Sequence, residues 1–359
     1  MTIQTIEKKI HGGERLDQED LSFLFEYPDL LAIGRLANWL REKKNGKKVY
    51  YNINRHINYS NVCYVACKFC EFGQPKTSPK AYELSVGEME EAARQALQEG
   101  ATEFHIVGGL HPDLKLDYYE NLLRAFKRVA PMVHLKAFTA VELDYFAKIS
   151  RVSVEEVIDR LAAAGLGSFP GGGAEVLTER VRQLTHPNKI GPDRWLQIHR
   201  LIHQKGFRSN ATMLYGHVET VADKVEHLQK LRDLQDETGG FQTFIPLSFV
   251  PEETPMSHIP KPTAMEDLRH IALSRLFLDN FDHIKAYWVM MGLGTAQLSL
   301  SFGADDLDGT LMKETIVHMA GTKAPEGVSV STLINLIKEA GFLPIERDTL
   351  YNIVERQAA

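Results

Sequence analysis

Three cysteines, Cys63, Cys67 and Cys70, stand within eight consecutive positions in the spacing C-x3-C-x2-C, and the chain has no other cysteine. An odd number of cysteines without an export sequence argues against a framework of disulfides. Cysteine thiolates are soft ligands that suit zinc, copper or an iron–sulfur cluster. The spacing therefore predicts a metal centre on this segment.

The number of cysteines bears on the kind of metal centre. A structural zinc site needs four ligands, usually as two separated pairs; the chain has no second cysteine pair, although its 14 histidines could supply a fourth ligand. A cubane cluster that only carries electrons needs a thiolate on each iron. Three cysteines leave one iron open for chemistry. We therefore favour a cluster with an open iron, and a zinc site or no metal stay as alternatives.

Composition and charge limit the partners of the protein. The chain of 359 residues has a net charge of −6 and a charged fraction of 25%, so a generally basic surface for nucleic acid is not supported. The first residues contain no apolar run of the signal-peptide type, and no stretch approaches the roughly 18 consecutive apolar residues of a membrane helix. We expect a cytoplasmic enzyme that binds neither nucleic acid nor membrane.

A pattern of an amphipathic helix, a glycine and a β-rich run recurs along the chain. In its first copy Ser85 and Glu88 form a capping box, Gly100 is placed to end the helix, and residues 102–109 read as a strand. Residues 153–156 repeat the capping pattern. Strands that alternate with single helices imply parallel β–α units. We therefore predict an α/β fold, a TIM-type (β/α) barrel, with a doubly wound open sheet as the alternative.

The same pattern divides the chain into three parts. Residues 1–47 read as an N-terminal helical extension, because apolar residues recur there at helical spacing before a charged segment. Residues 48–290 form the predicted barrel core. Residues 291–359 form a C-terminal α/β extension that completes or caps the barrel.

Polar and glycine-rich segments fall where the predicted strands end. The active site of a β/α barrel lies at the carboxyl ends of the strands, so we expect these segments to surround it. They are residues 63–70, 108–111, 139–142, 170–175, 215–219 and 246–251. For any one of them, an ordinary loop stays the alternative, since loops are also polar and rich in glycine.

The cysteine motif, with the aromatic Phe69 directly before its last cysteine, resembles that of radical S-adenosylmethionine (SAM) enzymes. The resemblance implies a β/α barrel and a 4Fe–4S cluster on the three cysteines, whose open iron binds the amino and carboxylate groups of SAM. One electron from that cluster would cleave SAM to methionine and a 5′-deoxyadenosyl radical. Gly108 and Gly109 stand where the family's glycine-rich strand end meets the SAM amino group, although Leu110 replaces the usual acidic residue.

Longer segments resemble one branch of that superfamily, the aminofutalosine synthases of the futalosine route to menaquinone. The similarity extends over residues 15–355 and is carried by residues 105–112, 134–142, 164–175, 210–220, 231–249 and 302–310. Two sister enzymes share much of it, the cyclase of dehypoxanthinylfutalosine and the tyrosine-using subunit of F0 synthase. The segments around His111, Thr139 and Asn210 favour the aminofutalosine enzymes.

This second resemblance implies a reaction. The 5′-deoxyadenosyl radical adds to the enolpyruvyl double bond of 3-[(1-carboxyvinyl)oxy]benzoate, and rearrangement with loss of the carboxyl carbon gives aminodeoxyfutalosine. SAM is then a consumed co-substrate, and a flavodoxin or ferredoxin-type protein donates the electron. An iron–sulfur electron-transfer protein and a zinc-stapled binding module stay as interpretations of other classes.

Further site residues follow from the resemblance and from position at predicted strand ends. We expect the cofactors to contact Phe69, Gly108, Gly109, Thr139, Glu142, Glu175 and Arg182. We expect the substrate to contact Lys136, Gly172, Asn210, Tyr215 and Glu219. We assign catalysis to His111 and His217, because a histidine near its ordinary pKa can move a proton. For Arg182 a solvated helix charge is the alternative, and for Glu175 a helix cap.

Replacing any one of the cysteines by alanine (Cys63→Ala, Cys67→Ala or Cys70→Ala) is expected to abolish SAM cleavage and leave the chain folded, because the repeated helices and strands supply the core. Iron and sulfide analysis after anaerobic reconstitution, a SAM-cleavage assay and circular dichroism check this. A single variant that keeps a full 4Fe–4S complement and wild-type turnover would contradict the cluster assignment.

Overall fold

The computed structural model describes residues 1–355. Most of its helices lie between consecutive strands. They are α1 (Ile3–Gly12), α2 (Gln18–Glu26), α3 (Leu30–Asn45), α4 (Val86–Gln98), α5 (Leu116–Val129), α6 (Ala140–Ser150), α7 (Val154–Ala163), α8 (Glu179–Thr185), α9 (Pro192–Gln204), α10 (Val221–Thr238), α11 (Ala264–Phe277), α12 (Trp288–Met291), α13 (Leu293–Ser299), α14 (Ile316–Met319) and α15 (Val330–Glu339).

The strands form three parallel sheets, in the orders β8-β1-β9, β2-β3-β4 and β5-β6-β7. They are β1 (Lys48–Asn52), β2 (Asn54–Ile57), β3 (Glu103–Ile106), β4 (His134–Ala137), β5 (Ser209–Tyr215), β6 (Phe241–Ser248), β7 (His283–Ile284), β8 (Asp306–Gly309) and β9 (Leu343–Glu346).

Isolated parallel bridges join the three sheets edge to edge. They pair Lys136 with Ser168, Phe169 with Ser209, Lys285 with Asp306 and Arg55 with Met312. Strands β1 and β2 belong to different sheets, but only one residue separates them along the chain. Together with the bridges, this connection closes the strands into a ring. A closed parallel ring with helices outside it is a TIM-type barrel. The predicted barrel is confirmed, and the doubly wound open sheet is wrong.

Segments from both ends of the chain complete this architecture. The N-terminal helices lie outside the ring, where α3 packs on α11 and α2 packs on α10. Strand β8, which closes the ring next to β1, comes from the stretch 291–359. The division of the chain at residues 47 and 290 stays a prediction. Among residues 1–355, no helix is long and apolar enough to cross a membrane.

Local capping explains where several helices begin. The Ser85 side chain accepts a hydrogen bond from the Glu88 backbone while the Glu88 carboxylate accepts one from Ser85, so the capping box predicted at α4 is confirmed. At α7 the Ser153 side chain accepts a hydrogen bond from the Glu156 backbone. Thr139 begins α6 with a complete capping box, which joins the end of β4 to the next helix.

Alternation along the strands separates the core from the barrel interior. On β5 the side chains of Asn210, Thr212 and Leu214 line a cavity inside the ring. The intervening Met213 and Tyr215 are buried on the outer face, where the Tyr215 ring stacks on His270 of α11. Successive side chains of a strand point to opposite faces, so the register of β5 decides which of its residues can meet a ligand.

A buried charged group ties α11 to the barrel. The Arg275 guanidinium lies 2.5 Å from Asp305 Oδ1, and both side chains are fully buried. Asp305 also forms a 2.5 Å hydrogen bond with His283 Nδ1 and accepts one from the Ile284 backbone. Arg275 further donates to the Gly303 carbonyl. These bonds fix α11 against β7 and the segment before β8.

The variant Arg275→Met is expected to lower the free energy of unfolding by about 3–5 kcal/mol, since it leaves the buried Asp305 without its cation. Denaturant unfolding measured by fluorescence checks this. The matched control Arg15→Met removes an exposed pair with Asp236 and Asp279 and is expected to cost only about 0–1 kcal/mol. Equal losses of unfolding free energy in the two variants would show that the buried pair contributes no more to stability than an exposed pair.

Candidate active site

A cavity of about 330 Å³ occupies the barrel and reaches its carboxyl end. Cys63, Cys67 and Cys70 line it, on the loop that follows β2. Gly108 and Gly109, which follow β3, line it as well. Two segments that are 38 or more residues apart in the chain thus meet at one place, as parallel strands require of their carboxyl ends.

Backbone hydrogen bonds hold the cysteine loop in place. The Cys63 N–H donates to the Gln74 carbonyl at 2.9 Å, and the Lys68 N–H donates to the Thr185 carbonyl at 2.9 Å. The Asn188 side chain donates to the Val65 carbonyl. The cysteine loop is thereby hydrogen-bonded to Gln74, which follows it, and to residues at and just after the end of α8.

All three cysteines are free thiols. Burial raises the pKa of Cys67 to about 12 and also raises the pKa of Cys70. A metal centre binds thiolates, so loading the site must release protons, and metal affinity falls as pH falls.

The chemistry of the three cysteine side chains bears on the kind of metal centre. Cys63, Cys67 and Cys70 offer soft thiolate ligands along one cavity wall. In a cubane cluster each cysteine binds a different iron. This set of ligands fits a 4Fe–4S cluster.

A buried ion pair lies beside the thiols. Lys189 Nζ is 2.6 Å from Glu175 Oε1, and both residues line the cavity. Burial opposes the charge of Lys189, but the nearby Cys67 and Cys70 thiolates and the Glu175 carboxylate raise its pKa. The ammonium also lies 5.1 Å from the centre of the Phe69 ring. Lys189 is a fixed cation next to the cysteine motif that sequence reasoning missed.

The two glycines after β3 permit close backbone contact. A Cβ atom on Gly109 would lie 2.2 Å from the Val62 carbonyl oxygen, and one on Gly108 would lie 2.6 Å from the Tyr59 ring. Real Cβ atoms do not approach other atoms so closely, so no side chain fits at either position. The glycines therefore let the end of β3 lie directly against the start of the cysteine loop.

Glu142 organises the same end of the barrel. Its carboxylate accepts hydrogen bonds from the Gly108 N–H at 3.1 Å, the Tyr59 hydroxyl at 2.9 Å and the Thr139 N–H at 2.6 Å. Burial raises the pKa of Glu142, although these hydrogen bonds favour its ionised form. Thr139 and Glu142, both expected to contact the cofactors, line the cavity and position the backbone of the glycine turn.

The glycine run after residue 169 makes a second close approach. A Cβ on Gly171 would lie 2.3 Å from the Asn210 carbonyl oxygen. Gly173 has φ +87°, which favours glycine. The Gly172 carbonyl accepts a hydrogen bond from the Trp195 indole. The run lines the cavity beside Asn210.

The structure thus brings together many of the residues that the sequence suggested. Along the cavity it places Cys63, Cys67, Phe69, Cys70, Gly108, Gly109, Lys136, Thr139, Glu142, Gly172, Glu175 and Asn210. Five others, His111, Tyr215, His217, Glu219 and Arg182, are absent from the cavity wall and make contacts elsewhere. Their roles stay predictions.

The two histidines expected to be catalytic are buried by their own loops. His111 Nδ1 accepts a hydrogen bond from the Asp113 backbone, and its Nε2 lies 3.3 Å from Glu83. His217 uses both ring nitrogens on backbone groups, bonding the Leu214 carbonyl and the Val218 N–H. Burial lowers the pKa of His217, although the charge of the nearby Glu219 carboxylate acts to raise it. In this conformation both rings are held by these partners, and their catalytic role stays a prediction.

The other three residues also have structural partners. Tyr215 lies on the outer face of β5 and donates to Asp267. The Glu219 carboxylate accepts hydrogen bonds from the Gly216 and His217 backbone. Arg182 pairs with Glu179 and donates to carbonyls in the loop after α8. Sequence position at a strand end did not show which way these side chains turn.

Sequence reasoning missed several polar residues of the cavity wall. They are His56, His105, Lys189, Lys285, Asp308 and Glu314. For two of them a sequence feature existed: the strands NRHI and EFHI both carry a histidine at the third position. Polar residues at alternate positions of buried barrel strands indicate an interior that is polar.

Comparison with known proteins agrees with this fold. Residues 57–231 match the model of the radical SAM superfamily, and residues 238–359 match that of the CofH/MqnC C-terminal region. The chain belongs to the radical SAM superfamily. Membership implies SAM and a 4Fe–4S cluster as cofactors.

Relatives of nearly the same length carry three different enzyme names. The chain is 44% identical to aminodeoxyfutalosine synthase of Thermus thermophilus, over 97% of this chain and 95% of the relative. It is 39% identical to cyclic dehypoxanthine futalosine synthase of Streptomyces coelicolor, over 97% and 88%. It is 38% identical to 5-amino-6-(D-ribitylamino)uracil--L-tyrosine 4-hydroxyphenyl transferase of Methanopyrus kandleri, over 91% and 90%.

Two solved structures share the fold. Methylornithine synthase superimposes with a TM-score of 0.75 over 94% of this chain and 97% of its own, at 16% identity. The FeFe-hydrogenase maturase HydG of Carboxydothermus hydrogenoformans gives 0.75 over 97% and 80%, also at 16% identity. At such low identity the likeness concerns the fold.

The variant Gly109→Ala is expected to displace the cysteine loop, because its Cβ would collide with the Val62 carbonyl. Iron content after anaerobic reconstitution should fall several-fold, and SAM binding should weaken with it. The matched control Gly87→Ala lies at the start of α4 with no atom within 4 Å of its added Cβ, and it should keep full iron content. Full iron content and SAM affinity in Gly109→Ala would show that this backbone contact is not required.

Proposed function

We propose that this chain is an aminodeoxyfutalosine synthase that acts in menaquinone biosynthesis. It would join the 5′-deoxyadenosyl group of SAM to 3-[(1-carboxyvinyl)oxy]benzoate and form 6-amino-6-deoxyfutalosine. The observation that carries the proposal is the cavity that runs from the three cysteines into the barrel. The identity of 44% to an aminodeoxyfutalosine synthase over almost the whole chain supports this branch.

The cofactor residues lie around the cysteine end of the cavity. When bound on the three cysteines, the cluster supplies the electron that cleaves SAM. Gly108 and Gly109 line this end of the cavity, and their backbone is proposed to meet the amino end of SAM. The Lys189 ammonium offsets part of the negative charge that three thiolates bring into a buried site. Glu175 holds that ammonium in place and is proposed to contact the SAM ribose.

The alkene of the substrate must lie against the 5′ carbon with no competing hydrogen donor between them. Apolar side chains line the cavity near the strand ends: Val107, Val141, Leu214, Leu247 and Phe249. These side chains exclude water from the reacting carbons. Holding two reacting atoms in contact can remove about 7–11 kcal/mol of a barrier in the best cases, and small misplacement is costly.

A cavity of this kind beside the cysteines favours the proposed enzyme over an electron-transfer protein. A carrier of electrons needs a cluster near its surface and no space for a second molecule. Here the cysteines line a cavity whose polar inner wall includes Lys136, Asn210 and Lys285. As part of the same proposal, the enzyme works in the cytoplasm and receives its electron from a flavodoxin or ferredoxin-type protein.

The reaction type is tested with SAM labelled in its adenosyl group, chemical reductant and the enolpyruvyl benzoate. The label is expected mainly in an adduct larger than the substrate, with free 5′-deoxyadenosine as a minor product, because addition consumes the radical. Chromatography with mass detection separates the two. Parallel assays supply tyrosine with the ribityl diaminouracil, or dehypoxanthinylfutalosine. Label confined to free 5′-deoxyadenosine, with one of these alternatives consumed, would assign the chain to a sister activity.

A further inference from the structure

The inner wall of the cavity carries charged groups that the cysteine end does not use. Lys136 Nζ lies 2.5 Å from Glu103 Oε1, and Lys285 Nζ lies 3.2 Å from Asp308 Oδ1. Each of these four side chains is more than nine-tenths buried. Each ion removed from water costs several kcal/mol unless it is paired and its remaining hydrogen bonds are made.

Both lysines keep hydrogen-bonding capacity. An ammonium has three N–H donors. Within residues 1–355, Lys136 Nζ forms an ion pair with Glu103 and Lys285 Nζ donates to Asp308, and neither ammonium donates to any other side chain. Both line the cavity. The remaining N–H groups are therefore available to a ligand.

Two stacked histidines stand beside the lysines. The rings of His56 and His105 lie 4.6 Å apart and nearly parallel, and both line the cavity. Burial lowers the pKa of His56 and lowers that of His105 well below its ordinary value. Both are neutral near pH 7, so each can donate one N–H. Among the described residues neither ring forms a hydrogen bond, and the same holds for the Asn210 amide.

The histidines and Asn210 lie deeper in the barrel than the cysteine end of the cavity. His105 precedes Gly108 by three positions along β3, which is about 10 Å at the strand rise of ~3.3 Å per residue. On β5 the inward residues pass from Asn210 through Thr212 to Leu214 as the strand approaches its carboxyl end. The cavity thus passes from thiols and glycines, through apolar side chains, to hydrogen-bond donors.

We propose that Lys136, Lys285, His56, His105 and Asn210 bind the ring carboxylate of an aryl enol ether substrate. The inference rests on the proposed function, because the alkene of that substrate must face the cysteine end. The ring carboxylate, on the other side of the aromatic ring, then points inward. It is an acceptor-only group, which matches a wall of donors, and the apolar zone between encloses the ring.

The nearby acids do not prevent an anion from binding there. Glu103 and Asp308 are each paired with a lysine. Glu314 also lines the cavity, but its carboxylate accepts from the Val317 backbone and pairs with His318. The hydrogen bond to Glu314 raises the pKa of His318 to about 9, so the pair is neutral overall near pH 7.

The double variant Lys285→Met with Asp308→Asn tests the inference, since it removes the pair without leaving a lone charge. Asp308 has φ +64°, a conformation that asparagine tolerates. The matched control Lys205→Met with Asp159→Asn removes a pair at the protein surface. Equilibrium dialysis, with SAM bound and no reductant, measures affinity for the enolpyruvyl benzoate and for (1-carboxyvinyl)oxybenzene, which lacks the ring carboxylate.

We expect the double variant to bind the benzoate roughly 10- to 100-fold more weakly, the range for hydrogen bonds to a charged group, and to bind the analogue as the wild type does. The surface control should match the wild type with both compounds. Equal weakening of both compounds in the double variant, or of neither, would overturn the carboxylate site. Iron content and SAM affinity report whether each variant is intact.

A second variant covers the case in which the double variant loses its cluster. Asn210→Asp keeps the size of the side chain and adds a negative charge, so it should weaken benzoate binding about tenfold or more and spare the analogue. Unchanged affinity for the benzoate would overturn the site. Wild-type turnover separates the two proposals: consumption of the benzoate with no selective loss in the variants leaves the proposed function standing, whereas no consumption removes both.

Discussion

The backbone of Gly109 lies against the carbonyl of Val62, and the organisation of the site depends on this contact. It places the end of β3 beside the start of the cysteine loop, with no room for a side chain. Glu142 stabilises this contact by accepting hydrogen bonds from the Gly108 N–H and the Tyr59 hydroxyl. A loop of cysteines alone would be mobile; pressed onto a barrel rim it presents its thiols in a constant direction.

The barrel interior differs from the packed apolar interior usual for this architecture. Side chains at the start and middle of the strands are charged or polar, and two lysine–carboxylate pairs lie among them. Filling such an interior with polar groups costs stability that apolar side chains would have supplied. In return the barrel keeps a cavity with an apolar middle and a donor-rich inner end, where we propose that a small, flat, anionic molecule binds.

Proteins with this fold carry the names of several different enzymes. Enzymes named for three different reactions match this chain at 38–44% identity, and methylornithine synthase shares the fold at 16%. We expect the cysteine loop and the glycine turn to serve the chemistry common to the superfamily. We propose that the inward residues of the strands distinguish the substrates, because they face the part of the cavity farthest from the cysteines.

Some features of this protein were determined by local sequence. The cysteine motif, the capping box at Ser85 and the alternation of helices and strands each follow from neighbouring residues, so the metal centre and the barrel could be predicted from them. In each case the physical cause acts over a few positions of the chain.

Tertiary structure alone decided which polar residues face the cavity. His217 and Tyr215 stand at the carboxyl end of β5, as expected of site residues, yet the His217 ring bonds its own loop and Tyr215 lies on the outer face of the strand. No neighbouring residues in the sequence indicated that Lys189 and Lys285 would line the cavity. Their positions depend on contacts with distant segments of the chain. Strand register and loop packing depend on pairings between residues far apart in sequence, and a shift of one residue exchanges the inner and outer faces.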